Sequence, residues 1–314
     1  MVRSSALKDK KNPKNLSFGG HESFVFRQGW LKKGVDGLVQ SKSIFNDDEA
    51  IVSLGVGKNM VRSIRTWCLA IQMIEEGQTQ GLSRTKPLLV SELGENLLSD
   101  EGWDPYCEDP ATLWLIHWLL VSNQEKLSLW RLMFMAFKDR EFSRHEIEDF
   151  AISQTKLRGA NVEKSTIGRD ADCFVRTYVP ARARHGSGGE EDFDCPLSEL
   201  GLILSGSKDR YAFVVGYKPT LSPDVFGFAL CSYIDQQISG NMGHSVSSLT
   251  YEQGSPGQAF KLDEDGLIEI SRDLEFKYPD IVIVDVDGPV RRVGFRKTVD
   301  PGYFLEQYYQ VSGT

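Results

Sequence analysis

Cysteine pairs at metal-ligand spacing are missing from this sequence. Its five cysteines, Cys68, Cys107, Cys173, Cys195 and Cys231, are odd in number, far apart and never in a C-x-x-C arrangement. That argues against zinc sites and disulfide frameworks. Long apolar runs are missing too. The most apolar stretch, Ala111 to Val121, is too short to span a bilayer, and polar Ser122-Asn123-Gln124-Glu125-Lys126 follows it. No apolar core of a secretory signal lies near Met1, so a cytoplasmic location without a membrane partner is expected. A positive excess is also lacking. The net charge is −8, so any nucleic-acid surface must be local rather than a coat over the whole protein.

What is present is an ordinary globular composition, 40 % hydrophobic and 25 % charged, enough to bury a real core. The charge is uneven. Residues 1–17 carry Arg3, Lys8, Lys10, Lys11 and Lys14 against Asp9 alone, the pattern of a basic disordered tail. Such a tail serves phosphate contact or simple solubility.

Helical periodicity begins after residue 46. Asn46 or Asp47 can cap a short helix, Gly55 stops it, and Gly57 lies in the following turn. A second helix is predicted from Lys58 to about Glu76, with Met60, Val61, Ile64, Trp67, Cys68, Ile71 and Ile74 on one face. Lys58, Arg62 and Arg65 lie off that face, and no acid occurs between Ala50 and Ile74. A short helix, a glycine turn and a second helix with a basic stripe is what helix-turn-helix docking requires. The segment Gly77 to Val90 fits a wing, and Ser91 to Leu98 the next helix. Ala111–Val121 and Leu127–Phe137 are apolar nearly all round, which predicts a buried helical pair.

The pattern recurs. Ser143 and Glu146 fit a capping box, and Phe142 with Ile147 a hydrophobic staple, opening a helix over Arg144 to Gln154. A second helix follows from Ser165 to Tyr178, with Lys164, Arg169 and Arg176 off its core face. Gly186 to Asp194 reads as an acidic glycine-rich loop, and Leu200 to Gly216 as a hairpin with Leu202, Leu204, Tyr211, Phe213 and Val215 as strand residues. A third cycle is fainter. Ser222-Pro223 opens a helix to about Gln237, Ser255-Pro256 a shorter piece, and a hairpin flanks Asp287-Gly288-Pro289. The expected fold is therefore α+β and mostly helical, with tandem winged-helix-like units and small β-hairpin wings. The expected division is a tail over 1–17, a first domain with the helical pair over 18–138, a second over 139–219 and a helix-plus-hairpin domain over 220–314.

Several clusters can carry chemistry. His21 and Glu22, with Arg27 nearby, put a base and a carboxylate beside a mobile glycine backbone, suited to a metal ion or a phosphodiester. The commoner role of such a pair is to satisfy backbone groups in a turn. Asp104, Glu108 and Asp109 offer oxygen ligands for a divalent cation, although Asp109 also suits a helix cap before Ala111. His117 sits in an apolar helix, the setting of a satisfied core histidine. Tyr303, Tyr308 and Tyr309 suit aromatic packing of a last helix better than a strand-transfer nucleophile. Leu54 to Asn59 lacks the first glycine and the Ser/Thr of a phosphate loop. The stronger signal is the doubled basic stripe. Lys58, Asn59, Arg62 and Arg65 on one second helix, and Lys164, Ser165, Arg169 and Arg176 on another, point to double-stranded DNA. A solvated helix face is the alternative.

Phe18-Gly19-Gly20-His21-Glu22-Ser23-Phe24 with Arg27-Gln28-Gly29-Trp30-Leu31-Lys32-Lys33-Gly34 resembles the opening of a bacterial family of unknown-function domains. That family includes the SspB-type proteins of single-stranded DNA phosphorothioation systems. Leu54 to Val61 with Ser63-Ile64 and Trp67, then Asp104-Pro105-Tyr106 with Glu108, Thr112-Leu113-Trp114 and His117-Trp118, and finally Pro196-Leu197 with Leu200 to Ile203, are similar to its later blocks. Cys107 departs from the acidic element that the third block leads one to expect. The resemblance implies work beside a cysteine desulfurase, an ATPase and an ATP-pyrophosphatase-like sulfur-transfer enzyme in phage defence. It also implies nicking of one strand. As a metal-dependent nicking endonuclease, the chain would use His21, Glu22 and Arg27 in catalysis and Glu22, Asp104 and Glu108 around Mg2+ or Mn2+. A non-catalytic DNA-binding adaptor or transcriptional regulator, and a protein-interaction scaffold, are the other expectations.

Overall fold

The computed structural model describes residues 16–46, 50–78, 86–180, 195–206, 209–236 and 243–312. Among them are thirteen α-helices and eight short strands, a mixed and helix-dominated architecture. Residues 1–15 of the tail expected over 1–17, the loop from Gly186 to Asp194 and the capping role of Asp47 lie outside the described residues, while Ser17, placed in that tail, instead exchanges hydrogen bonds with Ser128 at 2.8 and 2.9 Å.

The first unit runs α1 (Trp30–Gln40), α2 (Ala50–Leu54), α3 (Lys58–Ala70) and a hairpin of β1 (Ile74–Glu76) with β2 (Leu88–Val90). Three residues, Gly55 to Gly57, turn α2 into α3. The expected helix over 58–76 stops at Ala70. Gln72 takes a left-handed φ of 63°, and Ile74–Glu76 zip antiparallel onto Leu88–Val90. Ile74 is buried by the hairpin, so its place in the helical period was coincidental.

A helix α4 (Glu92–Leu98) follows, capped by the Ser91 hydroxyl, which accepts the Gly94 N–H at 2.9 Å. Then comes the helical pair α5 (Pro110–Ser122) and α6 (Ser128–Met135). Every residue of α5 from Ala111 to Val121 is buried, as an all-round apolar helix requires. His117 is a satisfied core histidine. Its Nδ1 meets the Tyr178 hydroxyl at 2.8 Å and its Nε2 the Ala259 carbonyl at 2.9 Å. A carbonyl only accepts, so Nε2 carries the proton and the tyrosine hydroxyl donates to Nδ1. Burial pushes the imidazole pKa down to about 3.

The second unit runs β3 (Glu141–Ser143), α7 (Arg144–Leu157), α8 (Lys164–Tyr178), β4 (Ile203–Ser205) and β5 (Arg210–Phe213), in sheet order β3-β5-β4. Ser143 and Glu146 form the expected capping box. Phe142 and Ile147 are both buried, as a staple requires. One detail of the hairpin differs. Ile203 pairs with Phe213 on the core side, so Leu204 and Val215 face solvent rather than lining the strand interior.

The third unit runs α9 (Pro223–Asp235), β6 (Gly243–Ser245), α10 (Val246–Tyr251), α11 (Pro256–Phe260), α12 (Glu264–Lys277), β7 (Val282–Asp285) and β8 (Arg292–Phe295). Its sheet order, β6-β8-β7, repeats that of the second unit. Sequence periodicity misses α10 and α12. A last helix, α13 (Gly302–Ser312), returns to the first unit. Tyr309 stacks on Trp103 at 5.0 Å and shares a 2.7 Å hydrogen bond with Thr112. One contiguous core extends from Val25 to Tyr309 through all three units. All five cysteines are buried, and none is in a disulfide. No helix among the described residues is long and apolar enough to cross a membrane.

Candidate nucleic-acid interface

The segment Gly19 to Phe24 is a knot between α3 and α8. From α3, the Thr66 hydroxyl donates to the Gly20 carbonyl at 2.8 Å, and the Ser63 hydroxyl to the His21 carbonyl at 2.9 Å. From α8, the Asp170 carboxylate accepts the Gly19 N–H at 3.0 Å and the His21 ring at 2.9 Å, while Arg176 donates to the Ser23 carbonyl at 2.6 Å. Both helices then meet at one atom. The Phe24 carbonyl accepts Trp67 Nε1–H at 3.2 Å and the Cys173 thiol at 3.4 Å.

This packing dictates the glycines. Gly20 has φ 83°, and a Cβ there would stand 3.1 Å from Thr66 Oγ1. Glu22 and Ser23 also take left-handed φ values, 48° and 64°. Such backbone is costly for residues with a side chain and persists only when its surroundings over-determine it. Here the hydrogen bonds from two helices do so.

His21 is 1 % exposed, with both ring nitrogens engaged. Its Nδ1 accepts the Ser23 N–H at 3.0 Å, which places the proton on Nε2 facing Asp170. Its ring also meets the edge of Trp130 at 5.8 Å. Asp170 is fully buried, and sequence reasoning passed over it as one acid in a basic stretch. The signal was available. Asp170 lies on the core face with Ile167, Ala171 and Phe174, where an unpaired carboxylate is too costly to tolerate.

Both basic stripes border this knot. Lys58, Asn59 and Arg62 are exposed on α3, with Arg65 half-buried. Lys164, Ser165, Arg169 and Arg176 are exposed on α8. Exposed Glu22 approaches Arg62 at 3.8 Å. The exposed acid of α8, Asp172, is held by Arg144 of α7, which also pairs with Glu148 at 2.6 Å. Those bonds raise the Arg144 pKa above its usual value, the hydrogen bond to Asp172 contributing most among the raising causes. Asp172 thus detracts little from the positive face.

The remaining candidates lie apart. The Arg27 guanidinium stands 5.5 Å from the rings of both Phe24 and Trp30, a packing role. Asp104 accepts the N–H groups of Glu108 and Asp109, each at 3.0 Å. Asp109 caps Ala111 at 2.8 Å and takes the Tyr308 hydroxyl at 3.0 Å. That loop belongs to the contact with α13. Among the described residues, no three His, Cys, Asp or Glu side chains group to hold a metal ion.

In the third unit the corresponding second helix has the opposite charge. Along α12, Glu264, Asp265, Glu269, Asp273 and Glu275 outnumber Arg272 and Lys277. Asp265, Glu269 and Asp273, spaced i, i+4, i+8, are exposed on one stripe.

The fold and this site define a three-unit helix-and-hairpin protein in which two basic helices are tied to one short segment between them. By sequence, residues 18–309 match the family described as "Protein of unknown function (DUF4007)", and the chain belongs to that family. It is similar in structure to a magnesium ion-bound SspB crystal structure, at 28 % identity and a TM-score of 0.84, over 94 % of this chain and 88 % of that one. A second SspB crystal structure aligns at 27 % identity and a TM-score of 0.85, with the same coverage of each chain. No curated protein matches the sequence. The SspB-type resemblance read from the sequence motifs is therefore shown.

Proposed function

We propose that this protein is the duplex-DNA-binding component of a DNA phosphorothioation system, and that its units are winged helices gripping phosphates with α3 and α8. One observation carries the proposal. Two basic second helices, from different units, are locked to the same six-residue knot, so their placement relative to one another is fixed. Rigid placement lowers the entropy cost of binding. The likeness to SspB supplies the pathway, and with it the sulfur-transfer partners. A labelled duplex titrated by fluorescence anisotropy at rising salt is the test. Affinity should fall steeply as salt rises, because each counterion released on binding then gains less entropy, with a slope of about −0.9 per phosphate contacted. No binding at low salt would sink the proposal.

Within that role, grip is favoured over strand nicking by the engagement of both His21 nitrogens. A base with no free lone pair must first break from Ser23. A related SspB structure holds magnesium, yet the expected ligands here are divided. Glu22 lies by the knot, and Asp104 and Glu108 lie in the α13 contact. Conversion of supercoiled plasmid to open circles by contaminant-free protein with Mg2+ or Mn2+ is the result that would favour nicking instead.

A further inference from the structure

The knot fixes how close the two basic helices stand. Ser63 of α3 and Asp170 of α8 bond opposite ends of the same residue, His21, at 2.9 Å each. One residue plus two hydrogen bonds spans only about 10–12 Å. Successive major grooves on one face of a duplex are about 34–36 Å apart. Two helices tied across a single histidine cannot each occupy its own major groove one turn away. The lengths agree. At 1.5 Å per residue, the 13 residues of α3 and the 15 of α8 are each about 20–22 Å long. Both meet the knot near their middles, through Ser63 and Thr66 on one and Asp170 and Cys173 on the other. Each helix is thus shorter than one turn of duplex, and the two are tied near their middles. The third unit adds no comparable grip, because α12 turns an acidic stripe outward.

We infer that α3 and α8 act as two jaws on a single turn of duplex, bordering one groove, rather than as paired recognition helices in successive major grooves. This rests on the DNA-binding reading above. The protein would then bind DNA as a monomeric grip that needs no second half-site one turn away. Glu22, exposed on the segment that ties the jaws together, stands 3.8 Å from Arg62 and offsets part of its charge.

The experiment uses full-length protein and duplexes of about one, two and three helical turns, roughly 10, 21 and 32 base pairs. Per-site affinity at fixed low salt is read by anisotropy. One-turn duplex should bind within about threefold of the longest, after correcting for the number of registers. On that same one-turn duplex, Arg62→Ala and Arg169→Ala should each weaken binding several-fold. Two results would overturn the inference: a gain of tenfold or more on adding the second turn, or insensitivity of one-turn binding to either substitution. Absence of binding at every length would instead remove the DNA-binding reading itself.

Discussion

His21 and Asp170, 149 residues apart in sequence, share a fully buried 2.9 Å hydrogen bond that joins the opening segment of the chain to the core face of α8. The same carboxylate holds the Gly19 N–H. It therefore anchors the first part of the knot, Gly19 to His21, to α8.

Asp170→Ala should be among the most damaging single substitutions. It leaves a buried ring N–H and a backbone N–H without an acceptor, each costing about 1–3 kcal/mol. Together the two orphaned donors predict a loss of about 2–6 kcal/mol in urea unfolding. Asp170→Asn keeps one acceptor and should cost less. Equal stability of Asp170→Ala and the wild type would show that the knot is not structural.

Binding should not require a divalent ion. Phosphate contacts by Lys and Arg depend on ionic strength, not on metal identity. Chelation with EDTA at matched ionic strength should leave the duplex affinity within about twofold. A loss of an order of magnitude would place a metal ion in the interface itself.

The acidic α12 should lie outside the DNA contact. Glu269→Lys with Asp273→Lys reverses the exposed stripe without touching the core. Affinity should hold or rise slightly through long-range attraction. Weakened binding to that double variant would assign the third unit a direct part in the grip.

Two buried bases, Lys261 and His117, should each add a contribution to stability that rises with pH. Burial pushes the Lys261 amine down to about 7. Its Nζ donates to the Phe134 carbonyl at 2.7 Å, beneath the Phe213 ring. Between the folded value and the unfolded one near 10.5, the unfolded chain binds a proton that the folded chain does not. Stability therefore climbs with pH across that range. His117, also held neutral by burial, acts in the same sense lower down, so stability is lost as pH falls from 6.5 toward 3. Lys261→Met removes its own part of the upper slope, leaves the part from Lys218, which burial pushes down to about 8, and leaves the lower slope. Thermal melts at pH 6, 8 and 10 check this, and parallel profiles for the two proteins would contradict it.

Much of the fold was legible because local rules agreed. The Ser143–Glu146 box, the all-round apolar α5 and the Ser222-Pro223 start all marked their elements correctly. The end of α3 was not legible, since Ile74 fits a helix period and a buried strand equally well. The third unit faded because α12 carries acids where the earlier second helices carry bases. Its starting caps at Ser245 and Asp263 were nonetheless present. At the site, each stripe was visible on its own helix. Their meeting was not, because it depends on Asp170, a single long-range acceptor without local pattern.

The most direct test compares the salt dependence of duplex binding by wild type and by Arg62→Ala with Arg169→Ala. The account predicts that the double variant folds normally, binds more weakly, and loses about 1.8 from the log–log salt slope, two contacts at about 0.9 each. An unchanged slope and affinity would mean that the paired helices α3 and α8 are not where this protein meets DNA.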